Sequence, residues 1–389
     1  MAQESDKTEK SERYKFVATT FAGLENVLAQ EILELGADDV RVGLRAVCFS
    51  GDMKMMYRAN YFLRTALRVL LPVETFKIRS ADDLYFKSKN IFWEKYFTLD
   101  QSFAIHHTVF SNLFRNSMFA SLKVKDAIVD RFRQKFQKRP SVDPRNPDIH
   151  VNLHIENDVC TISLDSSGES LHKRGYRVGQ TEAPINEVLA AGLLKISEWD
   201  GCQDFFDPMC GSGTIAIEAA LLATNTPPGV IRERFAFQKW KTYKKDLFME
   251  LMDEINIQEP KGKIVASDIA RQAISIALKN AEAAGVERIV DFKVSGFEDF
   301  DPGMENPFLL FNPPYGERLN AGNAEFYSMV GERLKHHYTN ATAWIISTPE
   351  CLKSIGLKPS RKVSLLNGDI NCSFRKYELY QGSKKLQNN

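Results

Sequence analysis

Asn312, Pro313 and Tyr315 stand together in "FLLFNPPYGERLN", where an apolar run from Phe308 to Phe311 meets an amide, two prolines, a phenol and Gly316. The Asn side chain offers an oxygen acceptor and two donor hydrogens, and Tyr offers a ring face with a polar tip. Neither proline can donate to a sheet ladder, so the strand stops here. At the carboxyl end of a strand in an open α/β sheet, such residues face the crevice where ligands bind. Turn chemistry alone also favours Asn and Pro, so the motif by itself is readable as an ordinary strand stop.

Two other strand ends carry ligand chemistry. In "DPMCGSGT", Asp207 to Thr214, Gly211 and Gly213 let the backbone pass close to a ligand, and the helix behind them presents free N–H groups. The loop lacks the Lys of G-x-x-x-x-G-K-[ST], which argues against cradling a nucleoside triphosphate. It is also short of a full G-x-G-x-x-G, because position 216 is Ala, a variant that dinucleotide sites tolerate. Asp268 closes "KIVASD" and could accept both hydroxyls of a ribose, although an Asp there could equally cap the next helix. It lies much further from Gly213 than the usual ~20 residues, so "TNTPPGVIRERFAFQKWKTYKKDLF" reads as an insertion.

Alternating strand and helix patterns must position these ends. From "LHKRGYR" to about Ser347, "DFFDPMCGSGTIAIEAALLA", "KIVASD", "IARQAISIALKNAEAAG", "FLLFNPP", a helix near Phe326 to Leu334 and "ATAWIIS" predict a parallel, doubly wound sheet. "RKVSLLNGDINCSFRKYELY" predicts an antiparallel hairpin turning near Asn367-Gly368. Upstream, "YKFVATT", a helix with Leu24, Val27, Leu28, Ile32 and Leu35 in phase, strand-like "DVRVGLRAVCFSG" and a helix from Met53 to Leu67 make a compact β-α-β-type unit. A second unit, about Pro72 to Asp165, centres on the helix "NSMFASLKVKDAIVDRFRQKFQKRP", ended by Pro140, and closes with "DIHVNLHIEND" and "VCTISLD". That helix gathers Arg131, Arg133, Lys135 and Lys138 with other cations, either a solvated face or a polyanion patch.

Bulk composition bounds the rest. A chain of 389 residues predicts two or three domains, and 43% hydrophobic content suffices for real cores. With 51 basic and 50 acidic residues the formal charge is +1, so any polyanion site must be local. "MAQESDKTEKSER" has no apolar run and reads as a disordered tail; with no long apolar stretch elsewhere, a cytoplasmic protein without membrane spans is expected. The six cysteines show no C-x-x-C pair, and His106-His107 and His336-His337 lack metal-ligand spacing, so no metal is expected.

Together the Gly loop, the second acid and Asn-Pro-Pro-Tyr resemble the class I S-adenosylmethionine-dependent methyltransferases that act on exocyclic amino groups. "LHKRGYR", "EAPINEVLAAGLL", "PPGVIRERFAFQKW" and "NPPYGERL" extend the resemblance to the bacterial THUMP-domain guanine-N2 methyltransferases of large-subunit ribosomal RNA, over Tyr14 to Tyr380. Beyond the disordered tail (1–12) expected from composition, the resemblance implies a ferredoxin-like unit (13–70), an RNA-gripping THUMP domain (71–166) and a methyltransferase domain (167–384). Its fold would be α/β: a doubly wound, mostly parallel seven-stranded methyltransferase sheet ending in an antiparallel hairpin, preceded by two α+β domains. Carried over, it implies that Asp207, Cys210 and Gly211 to Gly213 line the methionine and ribose part of S-adenosylmethionine, Asp268 holds the ribose hydroxyls, and Asn312 to Tyr315 hold the base. Where many relatives place an Asp for the adenine amino group, this chain reads "VSGFEDF" with Gly296, so Asp299 or backbone groups take that role.

The implied chemistry accounts for the strand end. An exocyclic amine is a poor nucleophile because its lone pair is delocalised into the ring. Accepting its two hydrogens with the Asn312 oxygen and the Pro313 carbonyl favours a pyramidal nitrogen and aims the lone pair at a sulfonium methyl. Tyr315 would stack on an unpaired or flipped base. Neither a metal nor a covalent intermediate is required. Transfer RNA guanine-N2 methylation, adenine-N6 methylation and a non-catalytic assembly factor are the competing readings; the target nucleotide and oligomeric state are not legible.

Overall fold

The computed structural model describes residues 12–182, 184–315 and 323–380. Most of the expected tail, and Gly316 of the strand-end turn, lie outside them.

The N-terminal half runs β1 (Tyr14–Thr19), α1 (Glu25–Glu34), β2 (Asp38–Gly43), β3 (Ala46–Gly51), α2 (Met53–Phe62), β4 (Arg68–Lys77), α3 (Ala81–Asn90), β5 (Phe103–Phe110), α4 (Ser117–Phe136), β6 (Ile149–Glu156) and β7 (Val159–Asp165). Asp52, Ser80 and Asn116 cap α2, α3 and α4 by accepting from Met55, Asp83 and Met118 N–H groups. The segment read as one strand, "DVRVGLRAVCFSG", is a hairpin: Arg45 turns with φ 53° and β2 pairs antiparallel with β3. Likewise α4 stops before Pro140, at Gln137 in the left-handed conformation.

These strands form one seven-stranded sheet, β2-β3-β1-β4-β7-β6-β5, so the two N-terminal units share a continuous ladder through β4 and β7. On β6 the residues alternate between buried and more exposed positions, as expected where one sheet face packs on helices.

The C-terminal half runs α5 (Glu187–Ile196), β8 (Phe205–Asp207), α6 (Thr214–Ala223), α7 (Lys245–Asp253), β9 (Ile264–Asp268), α8 (Arg271–Ala284), β10 (Val290–Val294), β11 (Phe308–Phe311), α9 (Asn323–His337), β12 (Thr342–Ser347), β13 (Arg361–Asn367) and β14 (Ile370–Glu378). Its sheet order is β10-β9-β8-β11-β12-β14-β13. The first five strands are parallel, and β14 enters antiparallel between β12 and β13. As expected, β13 and β14 form a hairpin with Gly368 at φ 62° in its turn. β11 is buried along its whole length, as a central parallel strand must be.

The predicted insertion has a structural task. Its Phe235, Phe237, Trp240 and Phe248 join the N-terminal core beside Tyr57 and Tyr61, with the Tyr57 and Phe237 ring centroids 4.6 Å apart. Gly229 donates to the Tyr61 carbonyl at 2.9 Å, and a Cβ there would come within 2.7 Å of that oxygen. Beneath this junction lies a buried ionic cluster: Arg174 reaches Glu218 at 3.4 Å and the Leu171 carbonyl at 2.7 Å, Tyr176 donates to Glu218 at 3.1 Å, and Arg64 caps the Leu221 and Thr226 carbonyls. Both halves are thus stapled through desolvated charge as well as aromatic packing. Among the described residues no helix is long and apolar enough to cross a membrane.

Candidate active site

The carboxyl ends of β8, β9, β10 and β11 open into one cavity of about 430 Å³. Its size suits a nucleoside-sized ligand. The loop after β8 forms one wall: Cys210 N–H bonds the Ser267 carbonyl at 2.9 Å and Gly213 N–H bonds the Cys210 carbonyl at 2.8 Å. Gly211 and Gly213 have φ 54° and 83°, and a Cβ on Gly213 would press on Ala277 at 3.0 Å. The loop therefore needs glycine both for its turn and for its contact with α8.

Asp268 faces this loop from the end of β9, accepting from Gly211 N–H at 3.0 Å and Ala270 N–H at 2.9 Å. It does not cap α8, whose cap is Ala270. Each carboxylate oxygen keeps a lone pair toward the cavity that could receive a hydroxyl.

Asp207 is 1% exposed and lies behind the wall that Pro208 and Met209 line. Burial pushes its carboxyl well above the usual range, neighbouring Asp268 adds to that, and only the Met209 N–H opposes it. Its Oδ2 has no hydrogen-bond partner among the described residues. A buried oxygen left without a partner carries a desolvation cost that a hydrogen-bonding group would relieve. Cys210 is buried too, and desolvation holds its thiol protonated, which suits a wall residue and not a nucleophile.

Asn312, directly after β11, lines the cavity, and its Oδ1 is buried without a partner among the described residues. Pro313 is buried and Pro314 takes the lining position, its carbonyl receiving the Tyr327 hydroxyl at 3.1 Å. Tyr315 departs from expectation: it is 5% exposed and lies outside the cavity lining, and its hydroxyl accepts from Asn367 at 2.6 Å. In this arrangement its ring is core, and a stacking role requires the ring to turn out; the aromatic side chains on the cavity wall are Phe297 and Phe326, with Met329 one turn along α9 from Phe326. Gly296 and Asp299 both line the cavity, so the position expected to carry an Asp is open and Asp299 is within the same wall.

Two contributors escaped the sequence reading. Ile269, 79% exposed, follows the strand-ending Asp268 and presents an apolar face to the cavity; an isoleucine exposed just after that acid is the signal. Arg177, within the quoted "LHKRGYR", donates to Glu187 at 2.7 Å, Ser212 Oγ at 3.3 Å, Thr214 Oγ1 at 3.0 Å and the Ile185 carbonyl at 3.1 Å. It clamps the linker onto the Gly loop, and Asn280 reinforces this by donating to the Ser212 and Gly179 carbonyls.

The cations predicted to bind RNA lie far along the N-terminal sheet. Arg131 makes a two-point contact with Glu94, at 3.2 and 2.8 Å, and sits over the Phe92 ring; Lys135 reaches the same carboxylate at 2.7 Å. Against the upward push of burial, these two partners bring Glu94 down to about 2. Arg133 pairs with Asp130 at 3.3 Å, and Lys138 is exposed. Half of the expected patch is therefore internally neutralised. Among the described residues no group of three or more His, Cys, Asp or Glu could hold a metal.

Strand order and cavity together define a class I S-adenosylmethionine-dependent methyltransferase. The Gly loop, the Asp268 carboxylate and the unpartnered Asn312 oxygen line a cavity whose size and donor set fit that cofactor, while Asp207, expected to line it, lies buried behind the wall. Family models agree across the chain: an RlmL ferredoxin-like domain over residues 15–70, a THUMP domain over 78–165 and an RMKL-like methyltransferase domain over 174–376. The chain is 38% identical over 371 residues to slr0064 of Synechocystis, a candidate RNA methyltransferase, covering 94% of this chain and 97% of that one. It is 37% identical over 384 residues to the ribosomal RNA large subunit methyltransferase K/L of Shewanella frigidimarina, covering 96% of this chain and 54% of that longer protein. Among solved structures, SMU.472, a candidate methyltransferase complexed with SAH, superposes with TM-score 0.86 at 29% identity, covering 96% and 100% of the two chains. A Listeria monocytogenes protein described as a predicted N6-adenine-specific DNA methylase gives 0.84 at 30% identity, covering 95% and 97%. The chain belongs to the RMKL-like methyltransferase family, with the ferredoxin-like and THUMP domains of that architecture.

Proposed function

We propose that this protein transfers a methyl group from S-adenosylmethionine to the exocyclic N2 of a guanine in large-subunit ribosomal RNA. The observation that carries this reading is the buried, unpartnered Asn312 Oδ1 on the cavity wall. An acceptor left unsatisfied there costs about 1–3 kcal/mol, which a bound N–H donor would recover. The ribosomal substrate rests on the Shewanella relative and on the accompanying THUMP domain.

When bound, the cofactor supplies an electrophilic methyl on a sulfonium. Asp268 would hold its ribose hydroxyls, the loop from Cys210 to Ser212 its methionine end, and Ile269 with the Gly296 and Asp299 wall its base; Asp207, buried behind that loop, would support the methionine end from beneath. Asn312 Oδ1 and the Pro313 carbonyl would accept the two amine hydrogens, drawing the nitrogen lone pair out of conjugation toward the methyl. Once methylated, the nitrogen would carry one surplus proton, and the same two acceptors would hold the amine hydrogens until that proton passes to water. Cys210 would serve as cavity wall and not as a nucleophile, since burial pushes its thiol up.

Adenine N6 presents the same two hydrogens, and the Listeria neighbour's description makes it the second reading. Digestion of labelled RNA separates them: N2-methylguanosine supports the proposal, and N6-methyladenosine transfers the account to the second reading.

A further inference from the structure

The motifs "LHKRGYR" and "PPGVIRERFAFQKW" converge away from the catalytic cavity. The linker after β7, the insertion and the loop ahead of β6 together wall a concavity of about 370 Å³. Six cationic side chains line it against three carboxylates, in a chain whose formal net charge is only +1. Four of the cations, Arg145, Lys173, Arg234 and Lys239, are exposed. Lys173 pairs with Glu169 at 3.1 Å and Lys239 lies 3.7 Å from Asp148, both at the surface where such pairs are weak.

Arg145 and Arg234 are held near each other by structure. Asp143 accepts from Arg145 and Asn146 N–H groups at 2.9 and 3.1 Å, fixing the loop, and Arg234 donates to the Asn146 side chain at 2.9 Å. Neither guanidinium has an ion-pair partner among the described residues. Beneath them Arg232 ties insertion to linker through the Ser170, Lys173 and Glu169 carbonyls at 3.0, 2.7 and 3.0 Å, with its guanidinium over the Phe235 ring. Gly175 packs so tightly that a Cβ would meet the Ile231 carbonyl at 2.7 Å. With six cations against three carboxylates in its lining, the concavity carries an excess of positive charge that a polyanion would complement.

The same linker runs from this concavity to Thr181 on the rim of the catalytic cavity. The six residue steps from Gly175 to Thr181 span at most about 20 Å. That upper bound is within reach of a few nucleotides of one extended RNA strand.

We propose that this concavity grips the phosphodiester backbone of the RNA segment flanking the target base, with Arg145 and Arg234 as the principal contacts. The inference rests on the RNA-methyltransferase reading and adds the surface that delivers the substrate. It places the grip at the junction of the two halves, where no cation of α4 stands.

The test uses the full chain and a protein-free large-subunit ribosomal RNA transcript. In Arg145→Glu/Arg234→Glu the slope of log affinity against log salt should fall by about 1.4, at ~0.7 per single-strand phosphate contact. KM for RNA should rise about tenfold or more, with SAH affinity and melting temperature unchanged. The reciprocal variant Glu233→Lys should tighten binding and steepen the slope, an outcome that misfolding cannot imitate. An unchanged slope and KM in both variants, with methylation intact, overturns the proposal. So does an effect seen only with protein-bearing ribosomal particles, which would make the concavity a protein-docking surface. A parent chain that binds SAH and methylates no RNA fails differently: the functional reading itself falls.

Discussion

At the scale of the residue, the Asn312 oxygen stands unpartnered on the cavity wall among the described residues, and the Arg177 guanidinium fastens the linker to the Gly loop. The place of Asn312 was legible because an apolar run meeting two prolines marks a strand end, and the structure puts that residue on the cavity wall. Tyr315 was misleading: its hydroxyl partner Asn367 lies fifty-two positions downstream, a contact no local pattern announces. Arg177 illustrates the opposite gap, a clamp visible only once the linker and Gly loop meet. Loss of charge-assisted bonds of about 1.5–3 kcal/mol each in Arg177→Ala should raise KM for S-adenosylmethionine roughly tenfold or more, with kcat at saturation little changed. Arg177→Lys should recover only part of the loss, because one ammonium cannot serve a carboxylate and two hydroxyls in a fixed fork. Equal falls in kcat with an unchanged KM would show that Arg177 does not order the cofactor loop.

Among the elements, the insertion and α4 changed meaning once folded. The spacing between Gly213 and Asp268 announced extra chain, but only the aromatic ring contacts show it completing the N-terminal core. For α4, charge was legible while its compensation was not: Glu94, in a short turn far upstream, absorbs Arg131 and Lys135. This makes a pH prediction. A carboxyl lowered to about 2 stabilises the fold fully above its unfolded value near 4.5 and loses that contribution as pH falls toward 2. Glu94→Gln should therefore cost on the order of 1–2 kcal/mol at neutral pH, and the gap between variant and parent in urea melts should close below pH 4.5. A gap that stays constant down to the acid limit would contradict the ion-pair account.

Over the whole molecule, two sheets of opposite character are locked by a buried charge cluster and by one insertion. The parallel sheet and its hairpin were readable from period and punctuation; the shared N-terminal ladder was not, since strand pairing between distant segments leaves no local mark. Arg174→Ala would strand Glu218 without its main partner in a desolvated site, at a cost of about 3–5 kcal/mol, and should separate the halves in calorimetry. A single unshifted transition would contradict that coupling. The central claim is reached most directly by incubating the protein with labelled S-adenosylmethionine and protein-free large-subunit ribosomal RNA, transfer RNA serving in parallel, then digesting to nucleosides. The account predicts N2-methylguanosine in ribosomal RNA, reduced about a hundredfold or more in Asn312→Ala while SAH binding persists. Label confined to transfer RNA, or appearing as N6-methyladenosine, would contradict it.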